Sequence, residues 1–190
     1  QGPLLWFAAQ GLISALQDIH SAGIVHRDLK PSNVMYGPDG IKVLDFGISI
    51  VAEETSLTQT GAFMGTEAWI SPEQILGHDV AEASDIFNFG LVMAFAATGD
   101  HIYGEGRSDA LMYRISNLDP DLGGVPEPLR GALRRCLQRT PADRPSVAEL
   151  AEFFGSDGAT PLETPSSDTF MVDSDQLETA IGEGNVQGTR

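Results

Sequence analysis

Leu5, Ala8, Leu12, Ala15, Leu16 and Ile19 recur at steps of three and four residues, which predicts an amphipathic helix over residues 4–21. Ser21-Ala22-Gly23 supplies its stop signal. The pattern then shortens. Two apolar runs, Val34 to Tyr36 and Ile41 to Leu44, flank Gly37-Pro38-Asp39-Gly40, the composition of a β-hairpin and its turn. Residues 48–70 show no steady period and are rich in Thr, Ser and Gly, which predicts a long loop of the kind that carries function in a compact domain. From Pro72 onward the pattern is helical. Asp85 to Ala97 is apolar nearly all round and predicts a buried central helix, followed by helices over Arg107 to Asn117, Pro128 to Gln138 and Val147 to Phe154. Beyond Phe154 the chain turns to Ser, Thr, Asp, Glu and Gly with too few apolar residues to order itself. The expected fold is mainly α, a helical bundle with one short hairpin over residues 1–155, followed by a disordered acidic tail or linker over 156–190.

Composition sharpens this in two ways. The 190 residues carry a formal net charge of −16, of which residues 156–190 contribute −6 through seven acids and Arg190 alone as a base. That balance argues against nucleic acid as a partner, because no basic stripe is present to neutralise phosphates. One cysteine, Cys136, excludes an internal disulfide and fits a reducing compartment; between Leu133 and Leu137 it is expected to be a small core residue. The longest uncharged apolar stretch, Ile86 to Gly99, is 14 residues long and too short to span a bilayer, so no membrane segment is expected within this chain; a cytoplasmic location is, with a membrane anchor beyond the tail of the full-length protein as the alternative. The chain begins with Gln1 and not Met, which suggests a piece of a longer protein.

The chemistry is concentrated in His26-Arg27-Asp28-Leu29-Lys30-Pro31-Ser32-Asn33 and, after the hairpin, Asp45-Phe46-Gly47. Asp28 can accept or orient the proton of an attacking hydroxyl, and Lys30 can place its ammonium beside a transferring phosphate. Asn33 and Asp45 offer magnesium two hard oxygen ligands, one an amide and one a carboxylate. Gly47 frees the backbone to turn after the second ligand, and His26 reads as a packing residue of the loop.

With these residues the chain resembles the C-terminal lobe of a eukaryotic-type protein kinase, most like the bacterial serine/threonine kinases, from about Leu4 to Phe154. Ser71-Pro72-Glu73 stands where that family carries Ala-Pro-Glu, Asp85 matches the acid opening its central helix, and Arg144 matches its late arginine. The resemblance implies ATP and Mg as cofactors and Ser/Thr hydroxyls of protein substrates as acceptors. It implies a buried Glu73–Arg144 ion pair that anchors the activation segment, and an Asp85 that braces the catalytic loop. By the same resemblance Thr58 and Thr60 are autophosphorylation sites facing the cation of Arg27, and Thr66 in the substrate loop favours a hydroxyl-bearing acceptor. Thr55 and Ser56 are expected to be merely solvent-exposed.

The chain also departs from the family pattern. Glu67-Ala68-Trp69 adds an acid near the substrate loop, and Thr98-Gly99-Asp100-His101-Ile102-Tyr103-Gly104 replaces the usual Thr-Gly followed by Pro-Phe. No glycine-rich loop and no lysine strand precede His26, so the resemblance implies a partner, the kinase N-terminal lobe, outside this sequence. Without it, weak nucleotide binding and little activity are expected. A competing reading is a naturally shortened lobe that acts as a non-catalytic binding module, although such a module has no chemical need for Asp28, Lys30, Asn33 and Asp45 together.

Overall fold

Helix α1 spans Gly2–Ser21 and buries Ala9, Leu12, Ile13, Leu16, Ile19 and His20. It starts two residues before the apolar period does, since Gly2 and Pro3 sit where a first turn needs no intrahelical amide bond. At its far end Gly23, at φ +70°, lets the chain turn back while its amide bonds the His20 carbonyl at 2.9 Å. The computed structural model describes residues 2–37, 40–44 and 66–156. These lie in the first of two units, Gln1–Ala159; the second, Thr160–Arg190, contains most of the expected acidic tail and falls outside the described residues.

After the loop 24–30 comes a single 3-10 turn, Pro31–Asn33, and then strands β1 (Val34–Gly37) and β2 (Gly40–Val43). They pair antiparallel in the register Val34↔Val43 through Gly37↔Gly40, and the Leu44 amide extends the ladder to the Asn33 carbonyl at 2.8 Å. β2 lies against α1 at Gly11, where even a β-carbon would stand 2.6 Å from Ile41 Cγ1. The hairpin is thereby seated on the helix, and the segment before β1 is held beside the segment after β2.

The helical remainder consists of α2 (Pro72–Ile75), α3 (Glu82–Thr98), α4 (Ser108–Asn117), α5 (Leu129–Cys136) and α6 (Val147–Ser156). α3 is the central element: every residue from Ser84 to Ala94 is buried, as its all-round apolar sequence requires. It begins three residues before the apolar run because Glu82 belongs to a polar first turn, where acids oppose the helix dipole favourably. α5 is shorter than the pattern suggests; Pro128 lies just before it and Leu137 just after it. Where α3 and α5 meet, Gly90 faces Leu137 and Cys136 with no room for a methyl group, the nearest atom being 2.9 Å from its would-be β-carbon. Cys136 is fully buried, and burial pushes its thiol up to about 12.

α6 returns to α1. Trp6 Nε1 and Gln10 Nε2 both donate to the Phe154 carbonyl, at 3.1 and 2.8 Å, while the Trp6 ring meets Phe154 at 4.6 Å. The expected long loop 48–70 contains one piece of regular structure among the described residues, a 3-10 turn at Thr66–Trp69, which no periodicity in so short a segment could announce.

Candidate functional site

The segment from His26 to Asn33 is shaped from below by Asp85, in the first turns of α3. Asp85 is fully buried, and its Oδ2 accepts from the His26 amide at 2.8 Å while its Oδ1 accepts from the Arg27 amide at 2.8 Å. A third donor comes from α1: His20 Nε2 lies 2.8 Å from Asp85 Oδ2, and against a carboxylate it must donate. Arg27 has φ +69°, the left-handed region that side chains rarely enter. Such a conformation costs about 1–2 kcal/mol, which the charge-assisted bond from its amide to Asp85 offsets. Its carbonyl is held as well, by Gln74 Nε2 at 2.8 Å.

His26 is buried and bridges the loop to the end of the hairpin. The Asp28 amide donates to its Nδ1 at 3.3 Å, so Nε2 carries the proton and donates to the Leu44 carbonyl at 3.1 Å. Above this floor Asp28, Lys30 and Asn33 converge. Lys30 Nζ is 2.8 Å from Asp28 Oδ2, and Asn33 Nδ2 donates to the Asp28 carbonyl at 2.8 Å and to Oδ2 at 3.1 Å. Both amide hydrogens of Asn33 are thus committed to Asp28, and Oδ1 is the atom left to face a cation. Asp45, the second expected magnesium ligand, lies outside the described residues, as do Thr58 and Thr60. Among the described residues no group of three His, Cys, Asp or Glu side chains could hold a metal ion.

Glu73 and Arg144 meet 71 positions apart in a buried bidentate pair, Nη1 to Oε1 at 2.6 Å and Nη2 to Oε2 at 2.8 Å. All five guanidinium hydrogens are used, the other three going to the carbonyls of Ala83, Gln138 and Arg139. The Ser84 hydroxyl adds a bond to Glu73 Oε1 at 2.6 Å, and the guanidinium stands 4.9 Å over the Phe87 ring. Burial raises the Glu73 carboxyl, but the Arg144 and Ser84 hydrogen bonds outweigh it and hold it below its ordinary value. Pro72 and Glu73 open α2, where the amide and hydroxyl of Ser71 both donate to Gln74 Oε1 at 2.9 Å.

The turn Thr66–Trp69 precedes this anchor; the side chain of Thr66 lies outside the described residues. His101, from the loop after α3, donates its Nε2 hydrogen to the Ala68 carbonyl at 2.6 Å. Burial pushes the His101 imidazole below its ordinary value; the bond to Ala68 opposes this and the charge of Arg114 adds to it.

The sequence reading missed His20, Gln74 and His101. His20 had one signal, a polar residue on the apolar face of α1. Gln74 had another, its place three residues after Ser71. His101 lay in the stretch that departs from the family pattern, but its partner, a backbone carbonyl 33 positions away, had no signal.

Residues 5–153 match the family described as the protein kinase domain. The chain belongs to the protein kinase family. Among curated kinases it is 41% identical over 161 residues to a probable serine/threonine-protein kinase, PkwA, of Thermomonospora curvata, which covers 83% of this chain and 22% of that one. It is 43% identical over 146 residues to the serine/threonine-protein kinase AfsK of Streptomyces coelicolor, covering 76% of this chain and 18% of the relative. With the serine/threonine-protein kinase PknA of Mycobacterium tuberculosis it shares 41% identity over 133 residues, 68% of this chain and 31% of the relative. The chain therefore spans less than a third of the length of each of these kinases. No helix among the described residues is long and apolar enough to cross a membrane.

Proposed function

We propose that this chain is the C-terminal lobe of a serine/threonine protein kinase and carries the catalytic groups that move the terminal phosphoryl of ATP to Ser or Thr hydroxyls of protein substrates. The observation that carries the reading is the convergence of Lys30 Nζ and Asn33 Nδ2 on one carboxylate oxygen, Oδ2 of Asp28. With Oδ2 so engaged, Oδ1 is the oxygen that receives the acceptor hydroxyl, so Asp28 orients it and takes its proton as the bond to phosphorus forms. Lys30 is held by that same carboxylate and presents its ammonium to the transferring phosphate. Magnesium, when bound, neutralises phosphate oxygens, and Asn33 Oδ1 together with Asp45 would hold it.

Around this centre each remaining residue has a positioning task. Asp85 fixes the amides of His26 and Arg27, and the Glu73–Arg144 pair ties the end of the activation segment to the helices; Thr66, in the substrate loop, favours a hydroxyl-bearing acceptor. Arg27 receives the phosphate of Thr58 or Thr60 once either is modified. The partner that completes the ATP site is a kinase N-terminal lobe. Exposed apolar side chains suit such a neighbour: Leu4 and Phe7 on α1, and Met35, Tyr36 and Leu44 on or beside the hairpin, with the Phe7 and Tyr36 rings in edge contact at 6.1 Å.

The test is phosphate incorporation mapped by mass spectrometry on the complete protein incubated with ATP and magnesium. Phosphate on Thr58 or Thr60 is the expected result. Abundant transfer elsewhere with both threonines unmodified removes them from the account, and no transfer to the protein or to added protein substrates contradicts the activity itself.

A further inference from the structure

The loop between α3 and α4 departs from the kinase pattern, and it is held by several hydrogen bonds. Gly99, at φ +79°, caps α3. The Gly104 amide donates to the His101 carbonyl at 2.7 Å and the Asp121 amide to the Ile102 carbonyl at 3.0 Å. Arg114 reaches back from α4 to the carbonyls of Tyr103 and Glu105, at 2.6 and 2.9 Å. On this platform the His101 imidazole is nearly enclosed, with 5% exposure. The Tyr103 amide donates to Nδ1 at 3.4 Å, which leaves Nε2 as the protonated nitrogen. That hydrogen goes to the Ala68 carbonyl, and the ring meets Trp69 edge-on at 5.4 Å. A rigid loop thus grips two successive residues of the 3-10 turn that opens with Thr66.

We infer that His101 is a positioning residue for the substrate loop, setting the path of Thr66–Trp69 through the Ala68 carbonyl and so the affinity for the peptide that carries the acceptor hydroxyl. This rests on the kinase reading above. His101 touches neither nucleotide nor acceptor; it acts through the backbone of Ala68. Losing its donor leaves a buried carbonyl unpaired, so the effect belongs in peptide recognition and not in ATP binding.

The experiment compares wild type, His101→Phe and His101→Gln in the complete protein. Phe keeps a ring against Trp69 without the donor, while Gln restores an N–H in place of Nε2. His101→Phe is expected to raise KM for a Ser/Thr peptide substrate about tenfold and to leave KM for ATP within about twofold. His101→Gln is expected to recover most of the loss. Hydrogen exchange at amides 66–70 should speed up in His101→Phe and return toward wild type in His101→Gln. An unchanged peptide KM in His101→Phe overturns the inference. So does an equal rise in KM for peptide and for ATP in both variants, which is the signature of a merely structural residue. If the wild type transfers no phosphate, the kinase reading fails, while the exchange rates still decide whether His101 holds the loop.

Discussion

Asp85 shapes the loop from His26 to Asn33 from outside it. Its two oxygens satisfy the amides of His26 and Arg27 and the ring of His20, and they hold Arg27 at a φ of +69° that it would not otherwise adopt. Asp85→Asn puts an NH₂ against one of those donors and removes the charge. It should destabilise the protein by about 3 kcal/mol, read from denaturant midpoints, and lower phosphoryl transfer further than the lost stability explains. The convergence of Asp28, Lys30 and Asn33 was legible in the sequence because the three lie on one loop, within six positions of each other. The supports of that loop were legible only in part. Asp85, Glu73 and Arg144 stood out through resemblance, whereas Gln74 and His101 bond to carbonyls 47 and 33 positions away, and no local pattern encodes such a distance.

The elements were legible where burial imposes a period. α1, the hairpin and α3 follow directly from spacing, and the differences are confined to ends, where caps and first turns decide and hydrophobicity does not. What spacing does not reveal is how closely two elements approach. Gly90 looks like an unfavourable helix residue in the sequence, yet it is the point at which α3 admits Leu137 and Cys136 from the α5 end. Gly90→Ala gains helix propensity and forces a contact near 2.9 Å, so the net expectation is a destabilisation of about 1–3 kcal/mol. An increase in melting temperature in calorimetry would show that the close approach is not limiting. Gly11→Ala should act likewise at Ile41, with the additional effect of displacing the hairpin that carries Leu44 to His26.

Across the whole molecule, acid should undo the fold in two stages. The imidazole of His101 lies below its ordinary 6.5, so the unfolded chain binds that proton first; its contribution is intact above about pH 6.5 and is lost as pH falls toward its folded value. Glu73 lies below its ordinary 4.5, held there against burial by Arg144 and Ser84; its contribution is intact above about pH 4.5 and disappears as pH falls through its lowered folded value. Glu73→Gln should therefore cost about 3–5 kcal/mol at pH 7 and flatten the stability profile below pH 4.5. A variant as acid-sensitive as wild type in that range would remove Glu73 from the account. Asp28, held by Lys30 and Asn33, is proposed to serve phosphoryl transfer. The decisive comparison gives labelled ATP and magnesium, with a Ser/Thr protein substrate, to the complete protein and to its Asp28→Asn variant. A fall of about 10²–10⁴ in the transfer rate, with the melting temperature unchanged, is the predicted result; equal rates in the two proteins would contradict it.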